Sequence, residues 1–384
     1  PKDFCLELDG VFAFIIWDSE KRTITFARDP LGVRPLFIGT YHKDIIISSE
    51  IKGIPNNWNI KPVKPGTINC ICVECDYNIS YNYIDLYKNN NINDGRELKD
   101  LLIDAVRKRM ISDRPIGCFL SGGLDSTIIA ALVQKNTEKK IKTFSIGIEG
   151  SPDLKFAKIA SEYIGTDHTE LIVTEDDLRN AVEDTIYQIE SYDVTTIRAS
   201  TPMFLLSKYI KANTDITVMF SGEGADEIFG SYLYFKNAPS SDAFQQETIR
   251  LLKDLHYFDI LRGDRTTAGA GLEIRVPFLD KKFVNYCVNI NPEYKKTTVE
   301  KIILRNAFKD IIPYEIYIRT KEAFSDGVSP LSEKKPWYYS ETEADDYKKI
   351  YLKYYKDEMI PYLWKPKWVD NDEDPSARKY FQQN

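Results

Sequence analysis

A chain of 384 residues is long enough for two domains with separate cores, and 43% hydrophobic with 28% charged residues is ordinary for a soluble globular protein. A net charge of −7 supplies no global basic field for nucleic acid. No apolar run is long enough to span a bilayer, and the start lacks a signal-peptide layout, so the default expectation is a soluble cytoplasmic protein. The six cysteines are too sparse for a disulfide scaffold. Cys70, Cys72 and Cys75 cluster, but with neither nearby histidines nor a second pair at zinc spacing they read as reduced thiols, the first two alternating along a strand with Ile71 and Val73.

The chain opens at Pro1 and enters a strand-like segment almost at once, which reads as a fragment of a longer protein. Residues 1–88 form a predicted β-rich layered domain. Val11 to Trp17, Thr23 to Ala27, Pro35 to Thr40 and Ile45 to Ser48 are short apolar or alternating runs, separated by turn chemistry such as Asp9-Gly10 and Asp29-Pro30-Leu31-Gly32. The Asn-rich stretch over 89–95 is the predicted linker. The second domain, 89–384, begins with a predicted helix over 96–110. Strands are then expected at Ile116 to Leu120, Thr143 to Ile148, Thr169 to Val173 and Ile216 to Phe220. Helices are expected at Thr127 to Gln134, Leu154 to Ile164, within 176–190, over 201–212 and from Ala225. Strand–helix–strand repetition predicts an α/β fold with a doubly wound, mostly parallel sheet, followed from about residue 240 by a helical part.

The first of these strands runs into Ser121-Gly122-Gly123-Leu124-Asp125-Ser126, with a helix behind it. Two glycines allow a tight turn and close approach to a ligand. The helix N-terminus offers free N–H groups and a positive dipole end, so an anion is welcome there, and Ser121 and Ser126 add hydroxyls. Asp125 beside an anion is repulsive unless a cation intervenes, which points to magnesium held between the carboxylate and phosphate oxygens. The plainer reading has Asp125 and Ser126 merely capping the helix. A second loop, Ser221-Gly222-Glu223-Gly224-Ala225-Asp226-Glu227, also follows an apolar strand. In a doubly wound sheet both loops emerge at strand carboxyl ends, so Asp125 and Asp226 are expected to face one magnesium cluster, leaving Glu223 as a base.

Ser121 to Ser126 resembles the pyrophosphate-binding loop of the ATP pyrophosphatases, which adenylate a substrate by cleaving ATP between the α- and β-phosphates. Ser221 to Glu227 is similar to the SGEGSDE motif of asparagine synthetases, with Ala225 for a serine. Glu190 to Pro202, Leu272 to Asp280, Arg319 to Val328, Trp364 to Trp368 and Asp374 to Arg378 extend the likeness over nearly the whole chain. The resemblance implies that Leu120, Ile146, Ser221 and Gly222 contact ATP and that Ser121, Gly122, Gly123 and Ser126 hold pyrophosphate. It makes Glu223 catalytic, Lys321 the lysine that steadies phosphate charge, and Thr195, Thr196 and Arg198 the contacts of aspartate or its adenylate. For Leu120 and Ile146 taken alone, core packing is the stronger reading. The implied reaction forms β-aspartyl-AMP and pyrophosphate from aspartate and ATP with magnesium, and ammonia then displaces AMP to give asparagine.

Leu8 to Phe14 and Ala27 to Phe37 resemble the latter part of a class II glutamine amidotransferase domain, in which Asp9 binds the amino group of glutamine. That family's nucleophile is an N-terminal cysteine, a role Cys5 does not match. The expectation is therefore an asparagine synthetase that takes nitrogen from glutamine when intact and from ammonia at most in this fragment. Its expected partners are small molecules, with neither nucleic acid nor membrane, and homodimerisation is left open. A β-lactam synthetase-like cyclase and an inactive nucleotide-binding relative are the alternatives, and Asp193 to Ser200, Lys321 to Gly327 and the intact loops weigh against them.

Overall fold

The computed structural model describes residues 2–74, 78–87, 92, 94–330, 336–338, 340–356 and 363–369. The expected linker over 89–95 lies largely outside them, and Cys75 and the similar stretch 374–378 lie wholly outside.

The first part is antiparallel and layered. After α1 (Lys2–Glu7) come β1 (Ala13–Asp18), β2 (Thr23–Arg28), β3 (Phe37–Tyr41), β4 (Asp44–Ser48), β5 (Asn59–Pro62), β6 (Thr67–Cys72) and β7 (Asn78–Asn82). They make two sheets, β1-β2-β6-β7 and β4-β3-β5. Strand alternation turns Phe26 and Ile71 of one sheet and Ile38, Ile45 and Ile47 of the other into one apolar layer. β5 and β7 carry no readable periodicity because both are polar edge strands, paired on one side only. Cys70 is a free thiol. Cys72 is disulfide-bonded, which corrects the expectation for that residue. It is the last residue of β6, paired with Thr23 of β2.

The second part is α/β. It starts with α2 (Leu98–Arg109), β8 (Ile116–Phe119), α3 (Leu124–Lys135), β9 (Lys142–Gly147), α4 (Pro152–Ile164) and β10 (Asp167–Ile172). Helices α5 (Glu175–Asn180), α6 (Val182–Ile189) and α7 (Val194–Asn213) lead to β11 (Val218–Phe220) and α8 (Ala225–Phe229). Then follow α9 (Ser241–Asp254), α10 (Asp259–Gly269), β12 (Glu273–Arg275), α11 (Lys281–Val288), α12 (Ile302–Phe308), α13 (Tyr314–Ile318), α14 (Phe324–Gly327) and α15 (Glu343–Tyr351). The sheet order is β10-β9-β8-β11-β12, with every pair parallel. β11 reads as a continuous apolar run, and β9 is buried over its last five residues, because helices cover both faces. Chain order runs outward from β8 in one direction and then jumps back to place β11 on its other side. The gap between β8 and β11 is therefore the topological switch point, where doubly wound sheets bind ligands.

Helix α7 begins seven residues earlier than its periodicity suggests. Asp193 caps it, its Oδ2 accepting the Thr196 N–H at 2.9 Å. The β-branched run Val194 to Ile197 is a weak helix former that the cap overrides.

Candidate active site

Both glycine-rich loops leave the sheet at the switch point. Cys118 of β8 pairs with Phe220 of β11, so the strands end level and the loops emerge side by side. They touch: a Cβ on Gly222 would lie 2.9 Å from the Asp125 Cβ and 2.9 Å from the Ser126 nitrogen. Gly122 serves a different end. Its φ is +67°, and a Cβ there would lie 2.2 Å from the backbone carbonyl carbon of Phe156 in α4. Gly122 is thus needed for packing against α4, whereas Ser121, Gly123 and Ser126 line a cavity of about 200 Å³. Within the loop Ser126 Oγ donates to the Gly123 carbonyl at 3.2 Å and lies 3.2 Å from Ser121 Oγ. Gly123 is the extended N-cap of the 12-residue helix α3, whose first turn faces the cavity through Leu124, Asp125 and Ser126.

Asp125 and Asp226 converge across this cavity, joined by Lys301. Its Nζ lies 2.5 Å from Asp125 Oδ2 and 2.6 Å from Asp226 Oδ1, and Lys321 Nζ lies 2.6 Å from Asp226 Oδ2. Burial pushes both carboxyls up. For Asp226 the two lysines outweigh burial and hold it far below the ordinary range, while Asp125, with one direct lysine and Asp226 as a like charge, stays raised. Burial would lower Lys321, but Asp226 and Asp125 hold its ammonium charged well above the ordinary value. Asp125 Oδ1 is buried with no hydrogen-bond partner. An orphaned carboxylate oxygen beside a second carboxylate fits a hard cation that also takes phosphate oxygens. Among the described residues no group of three or more His, Cys, Asp or Glu stands together as a metal cage.

Glu223 lines the same cavity one residue beyond Gly222. Arg262 of α10 donates from Nη2 to Glu223 Oε2 at 2.6 Å and also pairs with Asp259 at 3.0 Å. Burial pushes the Glu223 carboxyl up against the pull of Arg262, with Asp259 and Asp226 adding to the rise, to about 7. A carboxyl poised there can exchange protons near neutrality.

The other expected residues divide. Leu120 and Ile146 sit in the cavity wall, at the strand ends of the sheet, and are also core residues. Thr195 and Thr196 line the cavity, and Thr196 Oγ1 already donates to Asp193 Oδ2 at 2.7 Å. Arg198 does not line it. Its guanidinium grips Glu343 of α15 at 2.5 Å and stacks over Tyr338 at 4.0 Å, so it braces α7 against α15. Asp9 does not line this cavity; it pairs with Lys108 at 2.9 Å, which also meets Asp280 at 2.5 Å.

Three site residues escaped sequence reasoning: Lys301, Arg262 and Arg319. Arg319 donates to the Ser121 carbonyl at 3.1 Å and to Asp153 at 2.7 Å, clamping the first loop. Lys301 carries the one available signal, a charged Glu300-Lys301 pair directly ahead of the apolar start Ile302-Ile303-Leu304 of α12, since a lysine buried there requires a partner. Arg262 has none, because its role depends on folding α10 against the second loop.

The asparagine synthase family model matches residues 97–243 and 236–360, and the glutamine amidotransferase domain model matches residues 2–68. The chain is 39% identical over 438 aligned residues to "Asparagine synthetase [glutamine-hydrolyzing]" of Gallus gallus, covering 97% of this chain and 77% of that protein. The proteins of the same description from Mus musculus and Homo sapiens are each 37% identical. They cover 98% of this chain and 78% of the mouse protein, and 97% of this chain and 77% of the human one.

Proposed function

The chain belongs to the glutamine-hydrolysing asparagine synthetase family, and we propose that its cavity adenylates aspartate with ATP and passes the activated acyl group to ammonia, making asparagine. The observation that carries this reading is the meeting of the two loops at the switch point, with Asp125 and Asp226 on one ammonium.

A free carboxylate resists amidation because oxide would have to leave. Adenylation supplies AMP as the leaving group. The adenine lies toward Leu120 and Ile146, and the phosphates face the α3 N-terminus, where Ser121, Gly123 and Ser126 meet the pyrophosphate. Lys321 and Lys301 offset the charge released on pyrophosphate, an electrostatic contribution strengthened by the water-poor site. Asp125 and Asp226 would hold Mg2+ brought with the nucleotide, which offsets phosphate charge during attack on the α-phosphorus. Thr195 and Thr196 present aspartate from the capped start of α7, which Arg198 keeps in place through Glu343. Glu223, oriented by Arg262, takes a proton from the attacking ammonia as the amide forms and AMP departs.

The reading extends to a cytoplasmic enzyme acting on small molecules. Among the described residues no helix is long and apolar enough to cross a membrane. The test is pyrophosphate release from ATP, Mg2+ and ammonium with and without aspartate. The proposal expects aspartate-dependent release with asparagine formed, and aspartate-independent release would contradict it.

A further inference from the structure

A short strap near the chain's end reaches the site. Residues 363–369 are pinned at separate points on three elements. Asp193 Oδ1 accepts the Trp364 N–H at 2.7 Å. Arg250 Nη2 donates to the Lys365 carbonyl at 3.1 Å, Asn237 Nδ2 donates to the Trp368 carbonyl at 3.1 Å, and Lys367 pairs with buried Glu247 at 3.2 Å. The first anchor is shared. Asp193 Oδ2 is the oxygen that caps α7 and takes the Thr196 hydroxyl, so one carboxylate fixes both the strap and the helix that presents Thr195 and Thr196.

The pinning delivers one side chain to the cavity. Trp364 is half-buried, lines the cavity that Glu223 and Arg262 also line, and has its ring centroid 6.0 Å from that of Tyr232 and 5.9 Å from that of Tyr234. The Tyr232 hydroxyl lies 2.6 Å from Asp259 and 2.5 Å from Glu227, so this aromatic wall is held rigidly from behind. An apolar ring at this point of the wall, beside the charged Glu223 and Arg262, contributes little to binding a polar substrate, but it displaces water.

We infer that Trp364 is a specificity-determining residue that lets ammonia rather than water reach the activated acyl group. This rests on the amidation reading. When ammonia attacks the β-aspartyl-AMP carbonyl, a C–N bond forms, the acyl–oxygen bond breaks with its electron pair leaving on AMP, and the surplus proton passes to Glu223. When water attacks, the same bond breaks and aspartate is regenerated with AMP, so ATP is consumed without product. Water vastly outnumbers ammonia, and Glu223 would serve either nucleophile, so a wall that bars bulk water adds to ammonia's greater intrinsic nucleophilicity.

The experiment measures pyrophosphate and asparagine in one reaction containing the full chain, ATP, Mg2+, aspartate and ammonium. The wild-type chain and Trp364→Phe are expected to release one pyrophosphate per asparagine. Trp364→Ala is expected to release severalfold more pyrophosphate than asparagine, with the excess shrinking as ammonium is raised. Lys367→Glu, which sets a like charge against Glu247 and loosens the strap without touching the site, is expected to show a smaller excess of the same kind. A ratio of one in both variants, at whatever rate, would overturn the inference while leaving the amidation reading intact. A wild-type chain that makes no asparagine would overturn that reading itself.

Discussion

Asp125 and Asp226 share the ammonium of Lys301, at 2.5 Å and 2.6 Å, although the two carboxylates come from different loops after different strands. Two carboxylates facing each other across a cavity repel. A buried lysine between them keeps the ligand-free site folded, and it also places positive charge where a phosphate would arrive.

Lys301→Met should therefore destabilise the free protein. Breaking a buried ion pair costs about 3–5 kcal/mol, and here the lower end applies because Lys321 still holds Asp226. Thermal unfolding measures this, and millimolar Mg2+ should restore part of the loss by substituting for the ammonium. The pH dependence has a definite sign. A depressed carboxyl contributes stability that is present above the unfolded value of about 4 and is lost as pH falls toward the folded one. The gap between wild type and variant should narrow progressively below about pH 4.

Glu223 titrates near 7 because burial raises it, so the base is lost as pH falls through that value. At a fixed concentration of free ammonia, asparagine formation should decline below about pH 7, approaching tenfold per pH unit. Glu223→Gln should cut amidation by about 10²- to 10⁴-fold and remove this limb, while aspartate-dependent exchange of pyrophosphate into ATP persists. Equal loss of exchange would place Glu223 in activation instead.

What the sequence disclosed was what local rules govern. The strand–loop–helix unit ending in Asp125 is legible because apolar run, glycines and helix start are contiguous, and the same holds for Asp226. Lys321 and Glu223 were legible through motifs. Lys301 and Arg262 were not, since each gains its meaning only from a partner far along the chain, 75 residues away for the Lys301–Asp226 bond and 39 for Arg262–Glu223. Arg198 also gains its partner only through the fold. Its neighbours Thr195 and Thr196 line the cavity, but at its place on α7 the side chain meets Glu343 of α15. β12 is three residues long, too short for any period to show.

The two loop glycines should respond differently to substitution. Gly122→Ala meets the α4 backbone and forces an alanine into the left-handed region, at about 1–2 kcal/mol for the φ alone. Gly123→Ala meets only two hydroxyls, Ser121 Oγ at 3.3 Å and Ser126 Oγ at 4.0 Å. Thermal unfolding should show a clear loss for the first and little for the second, whereas the second should weaken nucleotide binding by filling the anion cradle. Equal thermal losses would contradict this division of roles.

The central claim is that aspartate is activated as an acyl adenylate where Asp125 and Asp226 meet. Aspartate labelled with ¹⁸O in its side-chain carboxylate, incubated with ATP, Mg2+, ammonium and the chain, tests it directly by mass spectrometry of the nucleotide product. The account predicts AMP carrying one ¹⁸O on its phosphate for each asparagine formed. Unlabelled AMP, or ADP as the nucleotide product, would contradict it.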